Sequence, residues 1–171
     1  MNFAHIHLAL NHLPIMTIPV ALIFYMYSIF KKNKELKKFS LMVIVITAAT
    51  VIPVFLTGEP AEEVIENLPG VSEKLIKNHE EAAEVAFIMT LIAGGISLLT
   101  LLFSDKIEML NKHGDKLVIG LCFLALGFLV YTANQGGKIR HSELADEAVS
   151  KNMPILNYSL VILKSRLDKK A

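Results

Sequence analysis

Cysteine is almost missing from this chain of 171 residues: Cys122 is the only one. A lone cysteine excludes an internal disulfide, a thiolate metal cluster and a covalently attached c-type haem. Its place within an apolar run reads as a small buried side chain. A surplus of either charge is missing as well. The formal net charge is +1, without the basic excess that a nucleic-acid binder carries. No Gly-rich phosphate loop is present and no Gly-x-Ser-x-Gly elbow. His79-Glu80 is followed by Glu81-Ala82-Ala83, so the zinc-protease pattern His-Glu-x-x-His is not made. Internal repeats and low-complexity tracts are absent, and transporters usually carry repeats and more spans than this chain offers. The opening Met-Asn-Phe-Ala-His has no basic n-region, and no small-residue cleavage site follows, so a cleavable signal peptide is not expected.

What is present is apolar length. Hydrophobic residues make up 53% of the chain and charged residues 19%, with a mean hydropathy of +0.50, above the range of soluble domains. The charges sit between four apolar blocks, about 8–30, 39–57, 82–103 and 117–135. At about 1.5 Å per residue each block crosses, or nearly crosses, a hydrocarbon layer of about 30 Å. Pro14 and Pro19 lie inside the first block, where a membrane helix tolerates them because neighbours re-satisfy the freed carbonyls. The expected fold is therefore all-α: an integral membrane four-helix bundle over residues 1–141. A short helix from Pro60 to Asn67 is expected in the second connection, then a turn at Leu68-Pro69-Gly70 and a helix cap at Ser72. Ser104 to Lys116 reads as a polar loop, and Gly136-Gly137 as the break that ends the fourth span. In the tail, 142–171, Met153, Leu156, Leu160, Leu163 and Leu167 recur at spacings of three and four. That pattern describes an amphipathic helix lying on a membrane surface or a partner.

Lysine counts set an orientation. The first and third connections hold five and three lysines, while residues 58–81 hold seven glutamates and two lysines. The positive-inside rule then puts the first and third connections in the cytoplasm and both termini outside. In a bacterial inner membrane that side is the periplasm. His5, His7, His12, His79 and His141 all fall on it, and His113 on the other.

A histidine at a membrane boundary can simply reach water. His12, however, lies roughly 6 Å inside the first apolar block by helical rise, a placement that costs free energy unless it faces the bundle interior and finds a partner. Following His79 along its helix gives Ala83, Ala86, Thr90, Ala93 or Gly94, and Ser97. This small face serves either close helix packing or a groove for a planar cofactor. Gly120, Gly127, Tyr131 and Asn134 make a similar stripe on the fourth span. Two sites fit these residues. A b-type haem would take axial nitrogens from His12 and His79, with His141 in reserve, and meet its propionates with Lys138 and Arg140. A non-haem transition-metal ion would add carboxylates from Glu59, Glu62, Glu80 or Glu143. Helical Glu-x-x-His spacing is absent, which weighs against a di-iron version. A third reading is structural: an assembly subunit whose histidines line a wet interface.

The stretch Ile6-His7-Leu8-Ala9-Leu10-Asn11-His12-Leu13-Pro14 resembles the His-Pro-x-x-x-His-Phe-Pro opening of a widespread family of bacterial four-helix membrane proteins of unknown function. The histidine opening the third span and Gly136-Gly137-Lys138-Ile139-Arg140-His141-Ser142-Glu143 closing the fourth are similar too. Leu8 stands where that family usually has proline. The resemblance covers about residues 5–143. It implies an integral membrane protein, a polar set of His7, His12, His79 and His141, suggested haem binding, and association with c-type cytochrome or Rieske-type modules. The combined expectation is a membrane electron-transfer subunit, with the lipid bilayer and other redox subunits as partners. Haem b is expected near the periplasmic face, with His7 supporting the ligands.

Overall fold

The structure, a computed structural model, describes residues 3–66 and 71–140. His141, Glu143 and the expected tail helix lie outside the described residues. Six helices form in order: α1 (Phe3–Leu10), α2 (His12–Phe30), α3 (Lys34–Leu56), α4 (Gly58–Ile65), α5 (Glu73–Phe103) and α6 (Glu108–Arg140). The fold is an all-α four-helix bundle. Helix α1 runs into α2 through Asn11, whose amide donates to His7 O at 2.9 Å, and α3 runs into α4 through Thr57, whose amide donates to Pro53 O at 3.1 Å. Four helical segments, Phe3–Phe30, Lys34–Ile65, Glu73–Phe103 and Glu108–Ile139, are long and apolar enough to cross a membrane. Two antiparallel hairpins result, one from α1 to α4 and one from α5 and α6.

The broadest packing joins α5 to α6, followed by α3 to α5 and α2 to α3; α6 closes more loosely on α2. Ile18, Leu22, Tyr25, Leu41, Ile44, Ala93, Val118, Cys122 and Ala125 make the core. Lipid tails are as apolar as these side chains, so close backbone approach and polar contacts have to hold the helices together. Small residues supply the approach. Ala86, Thr90, Ala93, Gly94 and Ser97 are all buried on α5. At Gly94 the backbones of α3 and α5 come so near that a Cβ would collide with the Ala48 methyl. The small face of α5 is thus a packing face. Two buried hydroxyls of α5 return to their own helix: Thr90 donates to Ala86 O and Ser97 to Ala93 O, each at 2.7 Å, so neither is left as an orphan donor.

The turn between α2 and α3 ends one helix and starts the next in three residues. The amides of Lys32 and Asn33 donate to Ile29 O and Ser28 O at 3.1 and 2.9 Å, a Schellman arrangement that puts Lys32 at a φ of 53°. Asn33 Oδ1 then accepts from Leu36 N at 3.0 Å and caps α3.

Three expectations are corrected. Residues 108–116 are not loop: α6 starts at Glu108, because Leu110 is buried and Gly114 packs against the Thr100 side chain. Gly136-Gly137 does not break the fourth span, since α6 continues to Arg140. The short outer helix begins at Gly58, two residues before Pro60, and ends at Ile65; Pro60 lies in its first turn, where its missing N–H has no helical acceptor to satisfy.

Candidate functional site

At the end of the bundle where both hairpins begin, α1 and α5 bring His7 and His79 together. Their ring centroids are 6.5 Å apart and the planes stand at 86°. Each imidazole is fixed by the opposite helical arm of its own hairpin. His7 Nδ1 lies 3.1 Å from Val54 O and 3.2 Å from Thr57 Oγ1, while His79 Nδ1 lies 3.0 Å from Thr132 O. A carbonyl oxygen can only accept, so both Nδ1 atoms carry the proton and donate it. In the neutral ring Nε2 then holds the lone pair. This is the tautomer and the backbone anchoring typical of metal-ligating histidines.

A helical glycine lies beside each ring, and at Gly136 the missing side chain is needed for space. Gly58 follows Val54 by four residues, and a Cβ there would lie 3.8 Å from His7 Cε1. Gly136 follows Thr132 by four residues, and a Cβ there would lie 3.1 Å from His79 Cε1 and 3.2 Å from Nδ1. Each histidine therefore rests beside a helical glycine and donates to the carbonyl one turn earlier. The two hairpins repeat this device, although no sequence repeat is visible. Below it, Phe55 and Phe87 stack across α3 and α5 with centroids 4.4 Å apart.

Further along α6, Gln135 is buried. Its Nε2 donates to Tyr131 Oη at 2.8 Å, and its Oε1 accepts from Lys138 Nζ at 3.1 Å. The Thr132 hydroxyl is buried without a hydrogen-bond partner among the described residues. Polar groups thus gather on the part of α6 that faces His79.

His12 does not join them. Its side chain is exposed on α2, and its Nδ1 donates to Leu8 O at 2.7 Å, one turn back on the same chain. The expectation that an intramembrane histidine must face the bundle interior fails here because a backbone carbonyl of its own helix supplies the partner. The histidine that the fold brings to His79 is His7, not His12. The stripe of Gly120, Gly127, Tyr131 and Asn134 also faces outward. Gly127 and Tyr131, with Phe123, Leu124 and Phe128, border a shallow outer hollow of about 400 Å³ rather than a groove under the histidines. Glu59 and Glu80 are exposed and Glu62 is half-buried. No group of three histidine, cysteine or acidic side chains converges among the described residues. Lys138 forms no carboxylate ion pair among them, and Arg140 is the last residue of α6.

No protein family, curated protein or solved structure matches this chain. Its chemistry therefore has to be read from the geometry.

The opposite end holds a polar cluster that the sequence reading did not single out. Tyr25 is fully buried, yet its hydroxyl donates to Asp115 Oδ1 at 2.7 Å. Lys37 Nζ lies 2.7 Å from Oδ1 and 2.9 Å from Oδ2 of the same carboxylate. Asp115 of α6 thereby ties α2 and α3 to the second hairpin. A tyrosine in an apolar run and a charge in a presumed loop carry no joint signal when they are 90 positions apart.

Proposed function

We propose that the protein is a membrane electron-transfer subunit that binds a b-type haem between His7 and His79. The observation that carries this reading is the tautomer-fixed imidazole pair. Two imidazoles on opposite sides of one metal ion, at about 2 Å each, hold their ring centres roughly 6 Å apart, close to the 6.5 Å seen. The donor set fits as well. A bare zinc or iron ion recruits three or four protein ligands, and only a pair is supplied by the described residues. A metal that arrives with four porphyrin nitrogens needs just two more.

In this reading His7 and His79 would hold the haem iron, and Val54 O, Thr57 and Thr132 O fix their rings. Gly136 leaves space beside the His79 ring. Lys138, which pairs with no carboxylate among the described residues, would be the cation for a propionate, with Arg140 assisting. Such a haem supplies one-electron transfer, and the protein sets its orientation and surroundings. The resemblance to the bacterial four-helix family supports the same assignment, with c-type cytochrome or other redox subunits as exchange partners. Lysine-rich segments at 31–38 and 106–116 support a bacterial inner-membrane orientation with the histidine end and both termini in the periplasm.

Reduced-minus-oxidised spectra of protein purified from haem-replete cells test the proposal. Soret and α-bands are expected in the wild type and in His12→Ala, and their loss in His7→Ala and His79→Ala. A wild-type preparation without those bands overturns the haem assignment; retention in His79→Ala overturns the ligand pair.

A further inference from the structure

We propose a second binding site at the other end of the bundle: a pocket for the phosphate of an anionic phospholipid, held by Lys32 and Lys34. A hollow of about 230 Å³ opens there, bordered by Ser28, Lys32, Asn33, Lys34, Lys37 and Asp115. That volume is several times the roughly 30 Å³ occupied by a liquid water, enough for a phosphate group.

The charges around the hollow do not cancel. The Asp115 carboxylate is engaged by Tyr25 and Lys37, so Lys37 and Asp115 neutralise each other. Lys38 lies 3.8 Å from Glu35, and Lys31 Nζ sits over the Tyr27 and Phe30 rings at 5.9 and 5.4 Å from their centroids. Lys32 and Lys34 ion-pair with no carboxylate among the described residues, which leaves a net double positive charge at the rim. Asn33 uses its Oδ1 on Leu36 N, so its side-chain N–H groups remain as donors. The Ser28 hydroxyl gives its proton to Tyr25 O at 2.6 Å and contributes none.

Two further observations point to a lipid. Lys32 occupies the left-handed backbone region, at φ 53°, where glycine is the favoured residue; a lysine there stands against local preference. Phe30, the last residue of α2, and Phe39 of α3 are 79% and 53% exposed. Exposed rings on the helices that carry the lysine-rich turn mark the level where acyl chains meet headgroups, and basic pockets between helices at that level suit anionic headgroups.

Native mass spectrometry of the full chain, released from detergent with added phosphatidylglycerol, phosphatidylcholine or inorganic phosphate, tests the site. One phosphatidylglycerol is expected to remain bound in preference to phosphatidylcholine, and inorganic phosphate at equal concentration should not displace it. The double variant K32Q/K34Q should weaken this binding roughly thirtyfold, as expected for two juxtamembrane cations. K31Q/K38Q removes the same charge outside the hollow and should weaken it clearly less than K32Q/K34Q does. Equal loss in the two double variants would mean diffuse attraction and overturn the site. Displacement by inorganic phosphate would overturn the lipid assignment. If K32Q/K34Q loses helicity, K32R/K34R is read instead, and its failure to retain the lipid counts against the site.

Discussion

Gly136→Ala measures how tightly the His79 ring is held. The added methyl would lie 3.1 Å from His79 Cε1 and 3.2 Å from Nδ1, closer than ordinary carbon contacts of about 3.5–4 Å. The ring must retreat by a few tenths of an ångström, away from the carbonyl it donates to at 3.0 Å. Loss of that bond costs about 1 kcal/mol. Alanine is also the better helix former, by about 1 kcal/mol where the unfolded chain is not helical and by less in a micelle that keeps helices. Gly137→Ala controls for this. It changes the same residue type in the same helix, and a Cβ at 137 meets nothing within 4 Å. The propensity term cancels in the comparison, so Gly136→Ala should be the less stable variant by about 1 kcal/mol. Reversible unfolding in one detergent, followed by circular dichroism, reads the difference. In a His79→Ala background there is no ring to displace, and the gap should close. Equal stability of the two single variants, or a gap that survives without His79, would refute the idea that the glycine exists to seat the imidazole.

Two other predictions concern the scaffold. Gly94→Ala drives a methyl into Ala48 Cβ and should lower stability by about 1–3 kcal/mol. Ala48→Gly should rescue much of that loss, since the new methyl would then face Ala48 Cα at 3.7 Å and Ile44 O at 4.0 Å. A double variant no more stable than Gly94→Ala would show that the helices do not meet there. Tyr25→Phe removes a hydrogen bond to a carboxylate and should cost about 1.5–3 kcal/mol, and Asp115→Ala should cost no less, because it orphans a buried hydroxyl and the Lys37 ammonium. Thermal unfolding of both variants checks the ordering.

The helices were legible because the signal for a membrane-length helix is local. Apolar runs bounded by lysines or glutamates announce their own extent, and four such segments appear. The limits of the fourth were misread from both sides. Glu108 to Lys116 is polar enough to look like loop, yet it forms the first turns of α6, anchored by Leu110 and by Asp115. Two consecutive glycines look like a stop, yet the missing side chain of Gly136 serves the His79 ring rather than a turn. The histidine level was legible too, because helix ends follow from span lengths. The partner within that level was not. His7 and His12 are five positions apart, about 500° of helical rotation at 3.6 residues per turn, and so present different faces. Which face turns inward depends on how α1 and α2 pack, and that is not encoded in hydropathy when lipid and core are equally apolar.

The same equality explains why the two ends of the bundle matter more than its middle. A uniformly apolar interface gives little to choose between one register of two hairpins and the next. At the lysine-rich end the choice is made by hydrogen bonds crossing between hairpins, from Tyr25 and Lys37 to Asp115. At the histidine end each imidazole donates within its own hairpin, and the hairpins meet through the His7–His79 rings and the Phe55–Phe87 stack. Those contacts tolerate small displacements that a charged hydrogen bond does not. A metal held by the two imidazoles would supply a directional link between the hairpins at that end. On that argument a ligand at the histidine pair would join the two hairpins as well as use them, and its binding energy would add to the stability of the bundle by mass action.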